Sequence, residues 1–388
     1  MSVTAAAGFV AAGAHCGVKA DPTALDLALV ATDDGLAVPA AAVFTSNKAT
    51  AAPVDVTRSH LAATGGRSAA VLLNSGNANA ATGGAGRAHA ERTCAEVAAA
   101  LGCQPEEVLV CSTGLIGIPL PVDAVLGGVG PLAAARSVDG AAAAAAAILT
   151  TDTVAKEVTL ARAGFTIGGM AKGAAMLAPD MATMLAVLTT DAALGPADLG
   201  SALALAVEHS FNALSVDGCT STNDTVIVLA SGRGDTPRGI AFSDALGEAC
   251  ASLAAQMAGD AEGATKVVTV RVTGAPTPDD ARRAARKVAE SQLVKCSLFG
   301  ADPYWGRILS ELGSAGAPFA PDLVSVAYGG TVVCAGGVAA AHDGAAVAAH
   351  LAGRHVKIVA DLGLGPATAT ILTNDLTPGY IDENMRTS

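Results

Sequence analysis

Short apolar runs alternate along this chain with alanine-rich runs that have helical spacing. Runs such as 70–73 and 184–188 hold four or five mostly aliphatic residues beside polar or glycine-rich stretches, which is typical of buried strands. The predicted strands lie at 42–44, 70–73, 108–111, 184–188, 225–229, 267–272, 324–328, 356–360 and 369–372. The predicted helices lie at 84–101, 131–149, 196–209, 243–258, 278–291 and 343–352. This mixed order predicts an α/β or α+β protein rather than a helix bundle or an all-β sandwich.

Two of the predicted helices carry recognisable end signals. Gly102 follows the helix at 84–101, and glycine readily takes the left-handed conformation that ends many helices. Thr277 precedes the helix at 278–291, and Asp279 and Asp280 lie in its first turn, where acidic side chains are favourable. We therefore expect these two helices to end and begin at these residues.

The composition supports a folded chain without a membrane span. Hydrophobic residues make up 51% of the chain and charged residues 15%, which supplies a core and argues against disorder. Much of the apolar content is alanine, and no stretch approaches the roughly eighteen strongly apolar residues that a membrane helix needs. The seven alanines at 141–147 lie between Asp139 and Asp152, so they predict a helix and not a lipid-spanning segment.

The charge distribution argues against a nucleic-acid partner. The formal net charge is −12, whereas phosphate contacts need a basic surface. The longest basic segment, ARRAARK at 281–287, alternates with alanine in a helical pattern. It therefore predicts a solvated helix face.

The eight cysteines predict a reducing compartment. They are scattered, without a C-x-x-C pair and without the Cys/His spacing of a zinc site. In a chain of this length such cysteines are typical of reduced thiols. The first lysine or arginine is Lys19, so the apolar N-terminal stretch lacks the positive region of a secretory signal. We therefore expect a cytoplasmic protein with no bound metal.

Three polar, glycine- or threonine-rich segments are candidates for chemistry, although each is also typical of a turn or cap. NSGNANAATGG at 74–84 has neither the P-loop pattern nor G-x-G-x-x-G, and an Asn/Gly turn cluster is the simpler interpretation. CSTGLIG at 111–117 follows a predicted strand, where a Thr-Gly pair could aim a hydroxyl and a backbone N–H at one point, as an oxyanion hole does. AILTTDTVAKE at 147–157 is more typical of a cap and turn than of a ligand site.

The segment KGAAMLAPDMATML at 172–185 places a single threonine, Thr183, just ahead of a predicted strand. A threonine hydroxyl is a weak nucleophile that needs a nearby base. If the peptide bond before Thr183 is cleaved, its own α-amino group, with a reference pKa of roughly 7.7–8.0, can serve as that base. The small Ala182 would leave room for attack at its carbonyl. From these residues alone, an ordinary loop is the simpler interpretation.

Nine ordered motifs resolve this choice, because together they resemble the ornithine acetyltransferase family, also called glutamate N-acetyltransferase. The resemblance covers nearly all 388 residues. It is carried by GFVAAGAHCGVKA, NSGNANAATG, CSTGLIG, ILTTDT, GGMAKGAAMLAPDMATML, SFNALSVDGCTSTNDT, EGATK, LVKCSLFGADPYWGRI and DLTPGYIDEN. It implies an enzyme of arginine biosynthesis that transfers acetyl from N-acetylornithine to glutamate. The fold it implies is α+β: a layered α/β/β/α sandwich like that of N-terminal-nucleophile aminopeptidases, with a smaller C-terminal α/β subdomain.

The resemblance also implies that the chain cleaves itself between Ala182 and Thr183. This would give an α chain of residues 1–182 and a β chain of residues 183–388, the latter with a subdomain at roughly 275–388. Thr183 would then be the N-terminal nucleophile of a ping-pong cycle, carrying the acetyl group between ornithine and glutamate. Members of the family contain two α and two β chains, so a heterotetramer is expected, and the chemistry needs no cofactor.

The remaining site residues follow from matched motif positions. Thr113 and Gly114 match the oxyanion-hole pair. The C-terminus departs from the family pattern, because only three residues separate Asn384 from Ser388 and Arg386 stands near the place of an expected aromatic residue. The matched substrate-binding positions are Thr150, Lys172, Thr183, Glu262, Asn384 and Ser388.

Three alternatives stay open at the level of the sequence. The enzyme could also take acetyl from acetyl-CoA and so start the pathway. It could be a related aminopeptidase that hydrolyses peptide bonds, or a non-catalytic binding protein of the same fold, which would remain uncut.

Overall fold

The computed structural model describes residues 2–176 and 184–385, and the described chain forms two compact units. The first unit holds the chain up to Asn212 together with Cys219–Met257. The second holds Ala213–Gly218 and the chain from Ala258 onward. The predicted site residues Ala182, Thr183 and Ser388 lie outside the described residues.

The first unit contains two β-sheets with both parallel and antiparallel pairs. The four strands of the first sheet, in spatial order, are β1 Phe9–Ala14, β2 Leu27–Thr32, β5 Ala70–Asn77 and β6 Val108–Leu115. The six strands of the second sheet, in spatial order, are β4 Arg67–Ser68, β3 Val38–Phe44, β10 Thr225–Ala230, β9 Leu185–Thr190, β8 Phe165–Lys172 and β7 Lys156–Arg162. The β5–β6 and β9–β10 pairs are parallel and the others antiparallel.

Strand alternation assigns the apolar residues of the first sheet to two different cores. Val71 and Leu73 of β5 join Val187 of β9 and Ile227 of β10 in a core between the two sheets. Leu72, one position along, faces the opposite way into a second core. This period of two is what a strand buried on both faces requires.

Helices cover the outer faces of both sheets, which completes an α/β/β/α sandwich and confirms the predicted fold class. Val97 of α2 and Val129 of α3 pack in the core outside the first sheet. On the second sheet, α5 packs on β3 and β10, and Phe242 of α6 stacks on Phe165 of β8. The helices of this unit are α1 Ala52–Ala63, α2 Gly83–Leu101, α3 Val122–Ala135, α4 Ala141–Ala147, α5 Pro196–Glu208 and α6 Ala241–Gly259.

The single helix predicted at 131–149 is wrong, because the structure has two helices there. Ser137 leaves helical geometry to form an antiparallel bridge with Ala11 of β1, so α3 ends at Ala135 and α4 begins at Ala141. A Cβ added at Gly140 or Gly13 would come within 3.0 Å of the backbone opposite it, Ala11 and Ala143 respectively. The alanine run therefore serves close packing of α4 on β1, which helix propensity alone does not predict.

The second unit is a mixed sheet covered by helices around its own apolar core. Its strands, in spatial order, are β14 Val338–Ala339, β13 Thr331–Ala335, β12 Ser325–Tyr328, β15 His355–Asp361, β11 Val267–Ala275 and β16 Ala367–Asn374. Its helices are α7 Pro278–Glu290, α8 Gln292–Phe299, α9 Trp305–Gly313, α10 Gly344–Ala352 and α11 Pro378–Asn384. Among the described residues of the whole chain, no helix has the length and apolar character needed to cross a membrane.

Candidate active site

Thr113 and Gly114 lie at the end of β6, beside the end of β5. The parallel register pairs Ser75 with Thr113 and Gly76 with Gly114. Gly114 has φ of +129°, and a Cβ at this position would overlap the main chain of Gly76. Glycine is therefore required there both for its backbone conformation and for the close approach of the two strands. Thr113 is buried at the same strand end.

The asparagine-rich segment at 74–84, which begins in the last residues of β5, braces the main chain, as the turn-cluster interpretation predicted. Asn74 Nδ2 donates to the carbonyl of Asn77 at 2.8 Å, and Asn79 Nδ2 donates to the carbonyl of Gly86 at 2.9 Å. Asn77 Nδ2 reaches the carbonyl of Ile118 at 3.2 Å, in the loop after β6. These side-chain amides all donate to main-chain carbonyls, and in this way they hold the two strand ends together.

Lys172, the last residue of β8, brings three of the predicted site residues together. Its Nζ donates to Thr150 Oγ1 at 2.8 Å and to Thr113 Oγ1 at 3.3 Å. The lysine is only 2% exposed, so it is not the solvated surface residue that a lysine usually is. A buried ammonium that donates to two hydroxyls marks a polar site inside the first unit.

Asp152 is the counter-ion of this lysine, and sequence reasoning assigned it no role beyond a cap and turn. Its carboxylate is fully buried, 3.8 Å from Lys172 Nζ and 2.6 Å from the equally buried Lys156 Nζ. It also accepts the backbone N–H groups of Thr150 at 3.1 Å and Gly173 at 2.6 Å. Burial acts to raise the pKa of Asp152, but Lys172, Lys156 and the hydrogen bonds outweigh it and hold that pKa below its ordinary value.

The N-terminal motif braces the same region from another side. Lys19 Nζ donates to the carbonyls of Leu149, next to Thr150, at 2.7 Å and of Leu25 at 2.8 Å. The carboxylate of Asp26 in turn accepts the backbone N–H groups of residues 16–19. The buried carboxylate of Asp26 thus holds this turn in the conformation that directs Lys19 toward the site.

The segment at 221–225 links the strand ends that carry the predicted chemistry. Sequence reasoning included it in the motif SFNALSVDGCTSTNDT but assigned no role to its residues. Asn223 Nδ2 donates to the carbonyl of Ser112, the residue before Thr113, at 2.9 Å. Asp224 Oδ1 accepts the backbone N–H of Met184, the residue after Thr183, at 2.8 Å. The available signal was an amide and an acid immediately before an apolar strand, which is too common to identify a site.

Glu262 and Asn384 form a pair within the second unit. Asn384 Nδ2 donates to Glu262 Oε2 at 2.7 Å. Glu262 also lines a cavity of about 130 Å³ together with the buried Lys295. Burial lowers the pKa of Lys295 to about 8, although Asp217 and other nearby carboxylates oppose this shift. This pair therefore borders a polar, mostly acidic cavity.

Comparison with known proteins identifies the family. The ArgJ family model matches residues 10–387. The chain belongs to the ArgJ family. The arginine biosynthesis bifunctional protein ArgJ of Thermobifida fusca is 48% identical over 385 residues, which cover 99% of each chain. The protein of the same name from Mycobacterium leprae is 50% identical over 98% of this chain and 94% of its own.

Two solved structures are also similar to parts of this chain. Ornithine acetyltransferase from Mycobacterium tuberculosis, complexed with ornithine, is 49% identical and covers 46% of this chain and 94% of its own, with a TM-score of 0.44. The ArgJ bifunctional protein of Bacillus halodurans is 36% identical and covers 50% of this chain and 95% of its own, with a TM-score of 0.48.

These findings confirm the family that the nine motifs predicted, and with it an enzyme of arginine biosynthesis. In this ArgJ-family chain, the first unit gathers Thr113, Thr150 and Lys172, and the second unit gathers Glu262 and Asn384. The roles assigned to these residues by resemblance stay predictions.

Replacing Lys156 with methionine is expected to destabilise the ArgJ-family fold by about 2 kcal/mol, because it removes a charged hydrogen bond from a buried carboxylate. Asp152 keeps Lys172 and two backbone N–H groups, so the loss stays partial. The midpoint of urea unfolding with an unchanged m value measures this loss. The exposed Lys48→Met is the matched control and should not shift the midpoint.

The loss of stability in Lys156→Met should depend on pH. Because the folded-state pKa of Asp152 is lowered, its pairing stabilises the fold above the unfolded-state pKa of about 3.9 and is lost as pH falls through the folded-state value. The difference between wild type and Lys156→Met should therefore shrink below about pH 4. A difference that stays constant into acid would show that the methionine acts through packing alone.

Proposed function

We propose that this protein transfers an acetyl group from N2-acetyl-L-ornithine to L-glutamate through an acetyl-Thr183 intermediate, after cleaving itself at Ala182–Thr183. The observation that carries the proposal is the buried Lys172, which donates to both Thr113 and Thr150 in a chain of the ArgJ family. Thr113, Thr150 and Lys172 stand at positions matched to the family motifs, and their mutual contact supports this proposal.

The contact with Lys172 prepares Thr113 to stabilise an oxyanion. A threonine hydroxyl has one proton to donate and two lone pairs to accept with. Lys172 Nζ donates to Thr113 Oγ1, so the hydroxyl proton stays available for another atom. We propose that this O–H and the backbone N–H of Gly114 donate to the acetyl oxygen as negative charge develops on it.

The charges around Lys172 favour a substrate carboxylate. Two buried ammonium groups, Lys156 and Lys172, share the carboxylate of Asp152, so these three side chains together carry a charge of +1 in a chain whose overall charge is −12. Ornithine and glutamate share an α-carboxylate. We propose that Lys172 and Thr150 bind this group in both half-reactions, since a common anchor serves two substrates with different side chains.

Glu262 and Asn384, both in the second unit, are proposed as substrate contacts from their matched motif positions. The Glu262 carboxylate can accept an ammonium group, and its hydrogen bond from Asn384 limits its rotation. Ser388, outside the described residues, is proposed as a further contact from its motif position.

The proposed reaction balances with groups of the chain and its substrates. The Thr183 hydroxyl attacks the acetyl carbonyl, and its proton passes to the α-amino group of the same residue. The C–N bond to ornithine breaks as the ornithine nitrogen takes that proton. The glutamate amine then attacks the acetyl ester and gives up a proton to the same α-amino group, which passes that proton to the threonine oxygen as the C–O bond breaks.

Intact mass of the purified protein tests this function. We expect two fragments that meet at Ala182–Thr183. After N-acetylornithine is added, the fragment that begins at Thr183 should gain one acetyl group and lose it again when glutamate follows. One uncut chain without an acetyl adduct would exclude both the cleavage and the intermediate, and would favour a non-catalytic binding protein.

A second activity is favoured by the name that the relatives share, since each is called bifunctional. We propose acetyl-CoA as a second acetyl donor for glutamate. Incubation with acetyl-CoA and glutamate, without acetylornithine, should release free CoA thiol and yield N-acetylglutamate. No thiol release would restrict the enzyme to acetyl recycling, and hydrolysis of amino-terminal peptide bonds instead would favour the aminopeptidase alternative.

Assembly and location are proposed from the family resemblance. We propose a heterotetramer of two α and two β chains, which sedimentation of the cleaved protein would measure.

All eight cysteines lie among the described residues and are thiols. Burial raises the pKa of Cys111 and of Cys250 to about 12, so these two are unreactive. Such cysteines support the proposed cytoplasmic location.

A further inference from the structure

Asp224 is a buried acid in contact with the peptide unit that follows Thr183. Its side chain is inaccessible to solvent, and its Oδ1 accepts the backbone N–H of Met184 at 2.8 Å. That nitrogen is bonded to the carbonyl carbon of Thr183. The carboxyl group of Asp224 therefore contacts the peptide unit that joins the proposed nucleophile to strand β9.

The main chain of Asp224 is held in place independently of its side chain. Its carbonyl accepts the N–H of Thr45 at 3.0 Å, and the N–H of Thr225 donates to the carbonyl of Met184 at 3.3 Å. From Thr225 onward, β10 pairs with β9 in parallel register. The sheet ladder accordingly does not need the carboxyl group, which is available for another role.

The second oxygen of Asp224 is unusual, because it is buried without a hydrogen-bond partner among the described residues. The Ser221 hydroxyl acts to lower the pKa of this acid but makes no hydrogen bond of good geometry with Oδ2. Burial outweighs it and raises the pKa of Asp224 well above its usual range. Burying this carboxyl group destabilises the fold, and the hydrogen bond from the Met184 N–H offsets part of that cost.

We propose that Asp224 is a positioning residue for Thr183: its carboxyl group fixes the Thr183–Met184 peptide unit and thereby holds the nucleophile for attack. This inference rests on the proposed function. The neighbouring residue supports it, since Asn223 Nδ2 ties the same segment to the carbonyl of Ser112, beside Thr113. The segment 221–225 thus links the proposed oxyanion donor to the proposed nucleophile.

Two variants of nearly the same shape test the inference. Asp224→Asn keeps an oxygen for the Met184 N–H and should process itself and form acetyl-enzyme within about threefold of the wild-type rates. Asp224→Leu fills the same space without an acceptor, and both rates should fall about 100-fold, the scale expected for a misplaced reacting group. In the steady state kcat should fall while KM stays the same, because the substrate contacts are intact.

Stability separates positioning from a structural role. Because the folded-state pKa of Asp224 is raised, the folded protein keeps this proton at pH values where the unfolded chain has lost it. The free energy of unfolding therefore falls as pH rises above the unfolded-state pKa of about 3.9. Asp224→Asn should therefore melt at the same or a higher temperature than wild type at pH 7. Asp280→Ala, which removes another buried aspartate in the second unit, is the control that should cleave and acetylate normally.

The outcomes distinguish this inference from the proposed function. If wild type is cleaved and acetylated and Asp224→Leu matches it within threefold, the inference is wrong and the function stands. If Asp224→Asn is as slow as Asp224→Leu, a proton-transfer role replaces positioning. Should Asp224→Leu not fold, Asp224→Ala takes its place with the same expected result. A wild-type chain that stays uncut overturns the proposed function itself.

Discussion

Thr183→Ala is expected to yield a single uncut chain with no acetyl transfer. The substitution removes the hydroxyl that the proposed mechanism uses twice, first against the Ala182–Thr183 bond and then against the acetyl carbonyl. Without cleavage no α-amino group appears at residue 183, so nucleophile and base are lost together. Intact mass before and after addition of N-acetylornithine measures both events in one experiment.

The matched control is Thr183→Ser, which keeps a hydroxyl and should be cleaved and acetylated, although more slowly. Its activity would show that the alanine variant fails for lack of the hydroxyl and not through misfolding. Normal processing and acetyl transfer by Thr183→Ala would assign the nucleophile to another residue.

Thr113→Ala is expected to lower kcat by about 100- to 1000-fold, the usual effect of removing one oxyanion-hole donor. KM for N-acetylornithine should change little, because the proposed carboxylate contacts, Lys172 and Thr150, remain. Lys172 also keeps Thr150 and Asp152 as partners in this variant, so the fold should be preserved. Steady-state kinetics at saturating glutamate separates the two constants.

The variants Thr113→Ser and Thr113→Val separate the effect of the Thr113 hydroxyl from the effect of its shape. Serine keeps the hydroxyl and should retain most of the activity, while valine keeps the shape and should behave like alanine. Equal activity of the valine and serine variants would mean that the hydroxyl makes no contact with the transition state. Slower self-cleavage in Thr113→Ala would show that one oxyanion donor serves both reactions.

Local patterns predicted the elements whose ends carry their own signals. Gly102 ends α2 in the left-handed conformation, with its N–H donating to the carbonyl of Ala98, as the glycine position indicated. Thr277 caps α7 by accepting the N–H of Asp280. Both signals act within one helical turn, so no knowledge of the fold is needed to recognise them.

Elements shaped by distant contacts were beyond such patterns. The prediction at 131–149 missed the break between α3 and α4 because Ser137 pairs with Ala11, which is distant in sequence. The helices α1, α8, α9 and α11 were not predicted either. The amphipathic pattern that would have indicated α9 is clear only once its bounds, Trp305–Gly313, are known.

The sequence by itself determined the fold class and, through nine ordered motifs, the family and the positions expected to carry the chemistry. Only the tertiary structure decided which of those positions meet. Thr113, Thr150 and Lys172 come from three separate segments, and the buried Asp152 that compensates the charge of Lys172 attracted no attention as one acid in a threonine run. The reason is physical: motif spacing records chain distance, whereas burial and charge pairing depend on which strands the sheets place side by side.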